Sequence, residues 1–484
     1  VGASLWDPVR VGGLSLKNRA VMPAMGTGYA STEGKVTPRL ISFLKERAKG
    51  GVGLIITEVC AVHPLGRGFR AELGIYEESF LPGLENLARE VKREGAAVAL
   101  QLHHAGRETF SQIIGGTPVA PSPVAGKALG QKPRALSREE IHELVGCYAR
   151  AARRAREAGF DAVEVHGAHG YLINQFLSPY SNFREDDYGG DWEGRLRFAR
   201  EVVREIKREA GRDFPVIFRL SASEEVKGGY DLGDILPLLP LLEREGVDAF
   251  HVSCGVIDSP GNPTCPGIHH PDAYNRERAA AVKSVVGVPV IVAGKVHRPS
   301  LAERIIGEGE ADMVAFGRQH LADPRFLCKA ADGKEEEIRL CLSCNQGCIE
   351  RLVFEFKSVT CSINPRCGRE FQERLTRGAG GSFLVVGAGP AGLQAAFTLR
   401  EGGAERVVLV EKENEAGGRL RAASKPRGKE AYGKWVEGMV RDLGRLGVEI
   451  MLGTDAEGIR LEAGEWDGVV VATGADPVIP EVPG

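Results

Sequence analysis

From Arg19 onward, short apolar runs alternate with longer stretches in which apolar residues recur at helical spacing. A short run of about four or five mostly apolar residues suits a strand buried on both faces, the condition of a parallel sheet covered by helices. The runs predict strands at Ala20–Pro23, Leu54–Glu58, Val98–Leu102, Ala162–Val165, Val216–Leu220, Ala249–Val252, Val288–Val292 and Met313–Phe316. Between them the helix starts are marked. Thr37-Pro38 reads as an N-cap with proline at the first helical position, and Ser137-Arg-Glu-Glu140 reads as a capping box. Eight strands alternating with helices over about 330 residues predict an α/β fold, a TIM (β/α)8 barrel occupying residues 1–335.

At 484 residues the chain is longer than one core normally organises, so further domains are expected after the barrel. A hydrophobic fraction of 43% and a net charge of −3 are those of an ordinary globular protein, with no basic field for nucleic acid. No apolar run reaches the length of a membrane span, and Val1 to Gly13 holds no hydrophobic signal region. Ten cysteines in such a chain lead to the expectation of a reducing cytoplasm.

In a barrel of this kind the chemistry belongs to the loops after each strand. Here they read Pro23-Ala24-Met25-Gly26 after the first, Gln101-Leu-His103-His104-Ala-Gly106-Arg107 after the third and His166-Gly-Ala-His169-Gly-Tyr171 after the fourth. The fifth strand ends at Arg219, and the last two give Gly294-Lys295 and Gly317-Arg318. Glycine-rich turns after strands seven and eight are where such barrels bind phosphate. With Arg219 and Gln101 facing the mouth, the pattern suits flavin mononucleotide (FMN). Arg219 can balance charge on the reduced pyrimidine ring, and Gln101 can hydrogen-bond its edge.

Residues 336–375 carry a different chemistry. Cys341-Leu-Ser-Cys344-Asn-Gln-Gly-Cys348 is followed after twelve residues by Cys361. Three thiols on one tight loop and a fourth from a following segment match the ligand set of a 4Fe-4S cluster. A structural zinc site with four cysteine ligands is the alternative; it usually shows two separated C-x2-C pairs, and the second pair is missing. The other six cysteines read as bystander thiols.

A glycine-rich stretch, Thr376-Arg-Gly-Ala-Gly-Gly-Ser382, leads into residues 376–484. There Phe383-Leu-Val-Val-Gly387-Ala-Gly389-Pro-Ala391-Gly392 follows a strand and opens a helix, and Glu411 closes the next strand 24 positions after Gly387. This is the full strand, turn, helix, strand context of a dinucleotide fingerprint. Glu411 can hydrogen-bond an unphosphorylated ribose, which fits FAD in a partial Rossmann-like domain.

The run Val163-Glu-Val-His-Gly-Ala-His-Gly-Tyr-Leu-Ile-Asn-Gln-Phe-Leu177, with Lys49-Gly-Gly-Val-Gly-Leu-Ile-Ile-Thr-Glu58 and Phe316-Gly-Arg-Gln-His-Leu-Ala-Asp323, resembles the old yellow enzyme family of flavin-dependent ene-reductases. Together with the cysteines and the second glycine motif, the whole chain resembles the iron–sulfur flavoprotein branch of that family, typified by 2,4-dienoyl-CoA reductase and trimethylamine dehydrogenase. The resemblance implies FMN, a 4Fe-4S cluster and FAD, with electrons passing from NAD(P)H to FAD, to the cluster, to FMN and to substrate. Pro23, Ala24, Met25, Gly26 and Glu58 then belong to the FMN site. Gly418 and Arg419, in a turn that resembles further FAD-contacting turns, belong to the FAD site.

For such an enzyme His166 and His169 are placed to hold the carbonyl oxygen of an unsaturated substrate, and Tyr171 to protonate its α-carbon. The expected substrate is a small unsaturated carbonyl compound or acyl-CoA. Members of the family continue with a nicotinamide-binding domain, here expected from the rest of the chain or another subunit. Homo-oligomerisation, the choice of NADH or NADPH, and the roles of His269 and His270 stay open. One rival is an amine dehydrogenase of the trimethylamine type, whose branch tethers its flavin through a cysteine after strand one; residues 24–30 read Ala-Met-Gly-Thr-Gly-Tyr-Ala. Another is an electron-transfer module for a partner protein.

Overall fold

Each apolar run becomes a strand of one closed sheet in the computed structural model of the protein. The strands are β1 (Ala20–Met22), β2 (Leu54–Ala61), β3 (Ala97–His103), β4 (Ala162–Gly167), β5 (Val216–Ser221), β6 (Ala249–Ser253), β7 (Val290–Ala293) and β8 (Met313–Ala315). Each pairs in parallel with the next, and β8 returns to β1 through Val314 opposite Ala20. Closure removes the sheet edges, and the connections run over the outside as helices. These include α1 (Pro38–Lys49), α2 (Leu81–Arg93), α3 (Arg138–Glu157) and α4 (Trp192–Ala210). The structure describes residues 2–372, 380–458, 465–475, 478, 481 and 482. Residues 376–379 of the expected linker lie outside them. Among the described residues, no helix is long and apolar enough to cross a membrane.

Local chemistry starts the helices where the sequence marks them. The Thr37 side chain accepts the N–H of Leu40 ahead of Pro38. Ser137 Oγ accepts the N–H of Glu140 at 3.2 Å, and Glu140 returns a carboxylate oxygen to the N–H of Ser137 at 2.9 Å. A cap of this kind contributes about 1 kcal/mol, less than the burial of one leucine or phenylalanine of α1 such as Leu40 or Phe43.

Inside the barrel the strands alternate in and out with period two. Val21, Leu54, Ile56, Ala99, Ala162, Ile217, Ala249, Ile291 and Met313 fill its lower interior. An antiparallel hairpin, Val9–Val11 with Leu14–Leu16, sends Val11 and Leu16 into the same cluster and seals that end. Two residues further along β3, β4, β5 and β6, the same inward face turns polar: Gln101 follows Ala99, Glu164 follows Ala162, Arg219 follows Ile217 and His251 follows Ala249. Several strands also run past their expected ends, β2 to Ala61, β3 to His103, β4 to Gly167, β5 to Ser221 and β6 to Ser253. In β3, β4, β5 and β6 the backbone pairing continues there into polar or small residues.

The described residues divide into two compact units, Val1–Gly333 with Ser343–Phe371, and Lys334–Leu342 with Gln372–Gly484. Within the first unit, the cysteine segment is fastened to the β1 loop and to α1. Leu352, on a π-helical stretch Gln346–Phe354, covers Gly26 and Gly28, where an added Cβ would lie 3.0 and 3.3 Å from its methyl carbons. Tyr29 donates its hydroxyl to the carbonyl of Val359 at 2.7 Å, and the fully buried Arg47 forms an ion pair with Glu370.

In the second unit, β9 (Ser382–Val386), β10 (Arg406–Val410), β11 (Glu449–Met451) and β12 (Gly468–Val471) form a parallel sheet in the order β11-β10-β9-β12. Helices Pro390–Glu401 and Glu430–Arg445 supply Ala396, Met439 and Leu443 to its core. Chain reversal on either side of β9 is the topology of a dinucleotide-binding sheet.

Candidate active site at the barrel mouth

The polar layer at the top of the barrel is a connected cluster. Glu164 accepts a hydrogen bond from Gln101 Nε2 at 2.6 Å with one carboxylate oxygen and meets His251 Nδ1 at 2.6 Å with the other. Arg219, buried beside them, donates from Nη1 to the carbonyl of Ala24 at 3.3 Å, which ties β5 to the loop after β1. Gln101 Oε1, His251 Nε2 and Arg219 Nε are buried without a partner in the protein. Unmet buried groups are costly, and their gathering on the inward face marks a site built for a polar ring.

Above this layer four rings converge. His166 stands with its centroid 5.2 Å from that of His169 and 4.9 Å from that of Tyr171, and Tyr171 lies 4.5 Å from His103. His166 accepts the backbone N–H of Ala168 at Nδ1. Burial, reinforced by His169 and Arg219, drives the His166 pKa well below the imidazole range, so the ring is neutral and carries its proton on Nε2. His169 is likewise held neutral, chiefly by burial. Its backbone has φ +64°, its N–H donates to Ser221 Oγ at 3.0 Å, and its Nε2 meets Ser253 Oγ at 2.7 Å. Only Nδ1 of that ring remains for a ligand. Burial, with Glu72 and Glu108 nearby, raises the Tyr171 pKa, so its phenol stays protonated at neutral pH. Behind it His103 is paired through Nδ1 with Glu72 at 2.8 Å, and the other Glu72 oxygen accepts the N–H groups of Gly68 and Phe69.

Around the expected phosphate turns, Gly294 has φ +125° and an added Cβ would lie 2.8 Å from Asn275 Nδ2. At Gly317 an added Cβ would sit 3.4 Å from Met25 Sδ and from Pro23 Cγ, so the β1 and β8 loops lie against each other. Arg318 donates from Nη1 to Asn345 Oδ1 at 2.5 Å and from Nη2 to the carbonyl of Pro266 at 2.7 Å. The sequence leads to the expectation of Arg318 on a phosphate; in the structure it grips the residue after Cys344. Glu58 Oε2 accepts both the N–H and the hydroxyl of Thr27, and Oε1 is buried without a partner. Burial pushes the Glu58 pKa up to about 8. The rings of His269 and His270 lie 4.6 Å apart, tilted by 39°, on the β6 loop, where His270 Nδ1 accepts the N–H of Gly267. The unmet donor and acceptors and the glycine turns fit a flavin with a phosphate tail.

The dinucleotide fingerprint of the second unit divides its labour among three glycines. Gly387 takes φ +100°, Gly392 has no room for a side chain because a Cβ would fall 1.8 Å from the Gly387 carbonyl oxygen, and Gly389 faces open space. Turn, close helix contact and clear approach for a pyrophosphate are the three tasks of this motif. Ala391 lies in the first turn of the helix, exposed. Gly418, at φ +50°, approaches the Cα of Gly389 and caps the short helix that begins at Arg419. Glu411 Oε2 accepts the N–H of Ala388 at 2.7 Å. A carboxylate retains acceptor capacity for a ribose hydroxyl, so these residues fit FAD.

Cys344, Cys348 and Cys361 belong to the first unit and Cys341 to the second. Cys344 Sγ lies 3.5 Å from Ser362 Oγ, and Gly347 accepts the N–H of Thr360 at 2.6 Å, which brings the neighbourhoods of Cys344, Cys348 and Cys361 together. Among the described residues, no three His, Cys, Asp or Glu side chains stand so as to hold a metal ion. The donor set, four thiols, fits an iron–sulfur cluster in kind. Ser343 and Asn345, on either side of Cys344, both have positive φ and are held by His297 and Arg318.

Sequence reasoning missed Glu164, His251, Ser253 and Glu72. The signal for the first was the alternation Ala162, Glu164, His166, one inward face of one strand.

A model of the NADH:flavin oxidoreductase / NADH oxidase family matches residues 4–337, and one of the FAD binding domain matches residues 382–425. The NADH oxidase of Thermoanaerobacter brockii is 42% identical over 489 residues, covering 99% of this chain and 74% of the relative. The cinnamate reductase of Clostridium sporogenes is 36% identical over 509 residues, covering 98% and 74%. Among solved structures, a 2-naphthoyl-CoA reductase in complex with 2-naphthoyl-CoA superposes with a TM-score of 0.94 at 31% identity, covering 99% of this chain and 75% of that one. Histamine dehydrogenase from Rhizobium sp. 4-9 gives 0.86 at 28% identity, covering 97% and 69%.

Proposed function

As the chain belongs to the NADH:flavin oxidoreductase / NADH oxidase family, and is an oxidoreductase, we propose that it reduces the C=C bond of an α,β-unsaturated carbonyl compound. The observation that carries the reading is the pairing, in one cluster of rings, of a neutral His166 bearing its proton on Nε2 with a protonated Tyr171. The first is a donor for a carbonyl oxygen, worth most in a site closed to water. The second is a phenol that still holds its proton at neutral pH, as a general acid must before the transfer.

FMN in the barrel would supply hydride, and FAD with a 4Fe-4S cluster on Cys341, Cys344, Cys348 and Cys361 would deliver electrons from NAD(P)H. In this reading Gln101, Arg219, Gly294, Gly317 and Arg318 hold the FMN, with the Pro23 to Gly26 loop beside it. Ser253 and Ser221 hold His169, and His169 steadies the carbonyl through Nδ1. The substrate is a conjugated acid derivative, free or as its CoA thioester; the names of the cinnamate and 2-naphthoyl-CoA relatives support that class. We further propose three parts, residues 1–335, 336–375 and 376–484, in a protein of the cytoplasm.

The likeness to histamine dehydrogenase favours a second reading, oxidation of an amine. Photoreducing the protein anaerobically and offering unsaturated acyl-CoAs and free enones tests the first reading. Flavin reoxidation by at least one of them is expected. Inertness toward all of them, together with anaerobic bleaching of the oxidised flavin by amines, would replace it with the second.

A further inference from the structure

Glu164 is completely buried, two residues before His166 on the inward face of β4, and has no role in the chemistry above. Its two oxygens take Gln101 Nε2 and His251 Nδ1, each at 2.6 Å. A carboxylate only accepts hydrogen bonds, so both neighbours must turn an N–H toward it. For Gln101 this fixes the amide orientation, with Oε1 turned away. For His251 it fixes the tautomer. Burial lowers the His251 pKa, so the neutral ring keeps its single proton on Nδ1 and leaves a bare lone pair on Nε2. Gln101 Oε1 and His251 Nε2 are buried acceptors of the layer that lack a partner, and Arg219 Nε is its unmet donor.

We infer that Glu164 is a positioning residue that sets Gln101 and His251 as acceptors and thereby makes the layer selective for an imide edge, in which an N–H is flanked by carbonyls. The pyrimidine ring of a flavin carries that edge. The N–H finds an acceptor in Gln101 or His251, and a carbonyl finds a donor in Arg219. The inference deepens the proposed function and rests on FMN occupying the barrel. Four residues from four different strands share the task, and the Glu164 carboxylate is what links β3 to β6 within it.

The test uses flavin-stripped full-length protein refilled with FMN or with N3-methyl-FMN, which lacks the imide proton, and follows quenching of flavin fluorescence. The parent should bind FMN at least about tenfold more tightly than the methylated flavin, the value of one properly placed hydrogen bond. Glu164→Leu, which releases both neighbours, should cut that preference to under about threefold. Nitrogen-15 NMR of labelled histidine gives a second readout that needs no flavin: His251 should show the Nδ1–H tautomer in the parent and the Nε2–H tautomer in Glu164→Gln, whose amide N–H would turn toward Nδ1. Equal binding of the two flavins by the parent, or an Nε2–H tautomer there, overturns the inference. Binding of neither flavin overturns instead the placement of FMN in the barrel.

Discussion

His166 accepts the backbone N–H of Ala168 at Nδ1 over 3.3 Å, so a turn two residues long decides which nitrogen of that ring carries the proton. The donor it leaves at Nε2 is lost in His166→Ala. That variant should weaken binding of a carbonyl ligand and slow flavin reoxidation by an enone about 10²–10³-fold, the usual loss for one such donor. Stopped-flow reoxidation after photoreduction checks it.

Tyr171→Phe separates proton delivery from binding. Enone affinity should stay close to that of the parent while reduction falls by roughly 10²–10⁴-fold. A nitroalkene is the control, because its reduced nitronate is stable without a proton and its reduction should survive. Equal rates for parent and variant with both acceptors would remove Tyr171 from the mechanism.

Arg318→Ala has two expected effects, since the guanidinium lies at the glycine turn after β8 and also holds Asn345 and the Pro266 carbonyl. Flavin should be lost on dialysis, and the Cys344 loop should become more susceptible to thiol alkylation in the metal-free protein. Full flavin retention would move the phosphate elsewhere.

All eight strands were legible, because a barrel strand buried on both faces writes itself as an apolar run, and the caps at Thr37 and Ser137 were legible because they are local. The strand ends were not. At His103, His166, Ser221 and Ser253 the chain turns polar while the backbone pairing continues, and a rule that follows apolarity stops too early. The catalytic candidates at the end of β4 and in the loop after it could be read because one short segment holds His166, His169 and Tyr171. Their supports could not. Ser253 is 84 residues from His169 and Glu72 is 31 from His103, distances that only the closed barrel removes.

Glu58 makes stability depend on pH. Its folded pKa of about 8 lies above the ordinary value of 4.5. Between those values the unfolded chain releases a proton that the folded protein keeps. Stability is therefore fully present below pH 4.5 and declines as pH rises to about 8, by at most about 1.4 kcal/mol per pH unit from this group. Glu58→Gln, which preserves an acceptor for Thr27, should flatten the fall. Thermal unfolding of both proteins from about pH 4.5 to about pH 8 measures the difference.

The cysteine segment predicts a composition. Protein purified without oxygen should hold about four iron and four sulfide per chain if Cys341, Cys344, Cys348 and Cys361 bind a 4Fe-4S cluster. One zinc without sulfide would identify a structural site instead.

The fastening of the cysteine segment bears on how this barrel could be re-engineered. Cut after residue 335, it would lose Leu352 from above Gly26 and Gly28, the Val359 carbonyl from Tyr29 and the Glu370 carboxylate from Arg47. Stranding one partner of a buried ion pair alone costs about 3–5 kcal/mol, a large part of a domain's stability. A minimal barrel made from this sequence would therefore need a replacement for Arg47 and side chains to fill the bare glycine floor, much as a roof removed from a house obliges the builder to finish the ceiling beneath it.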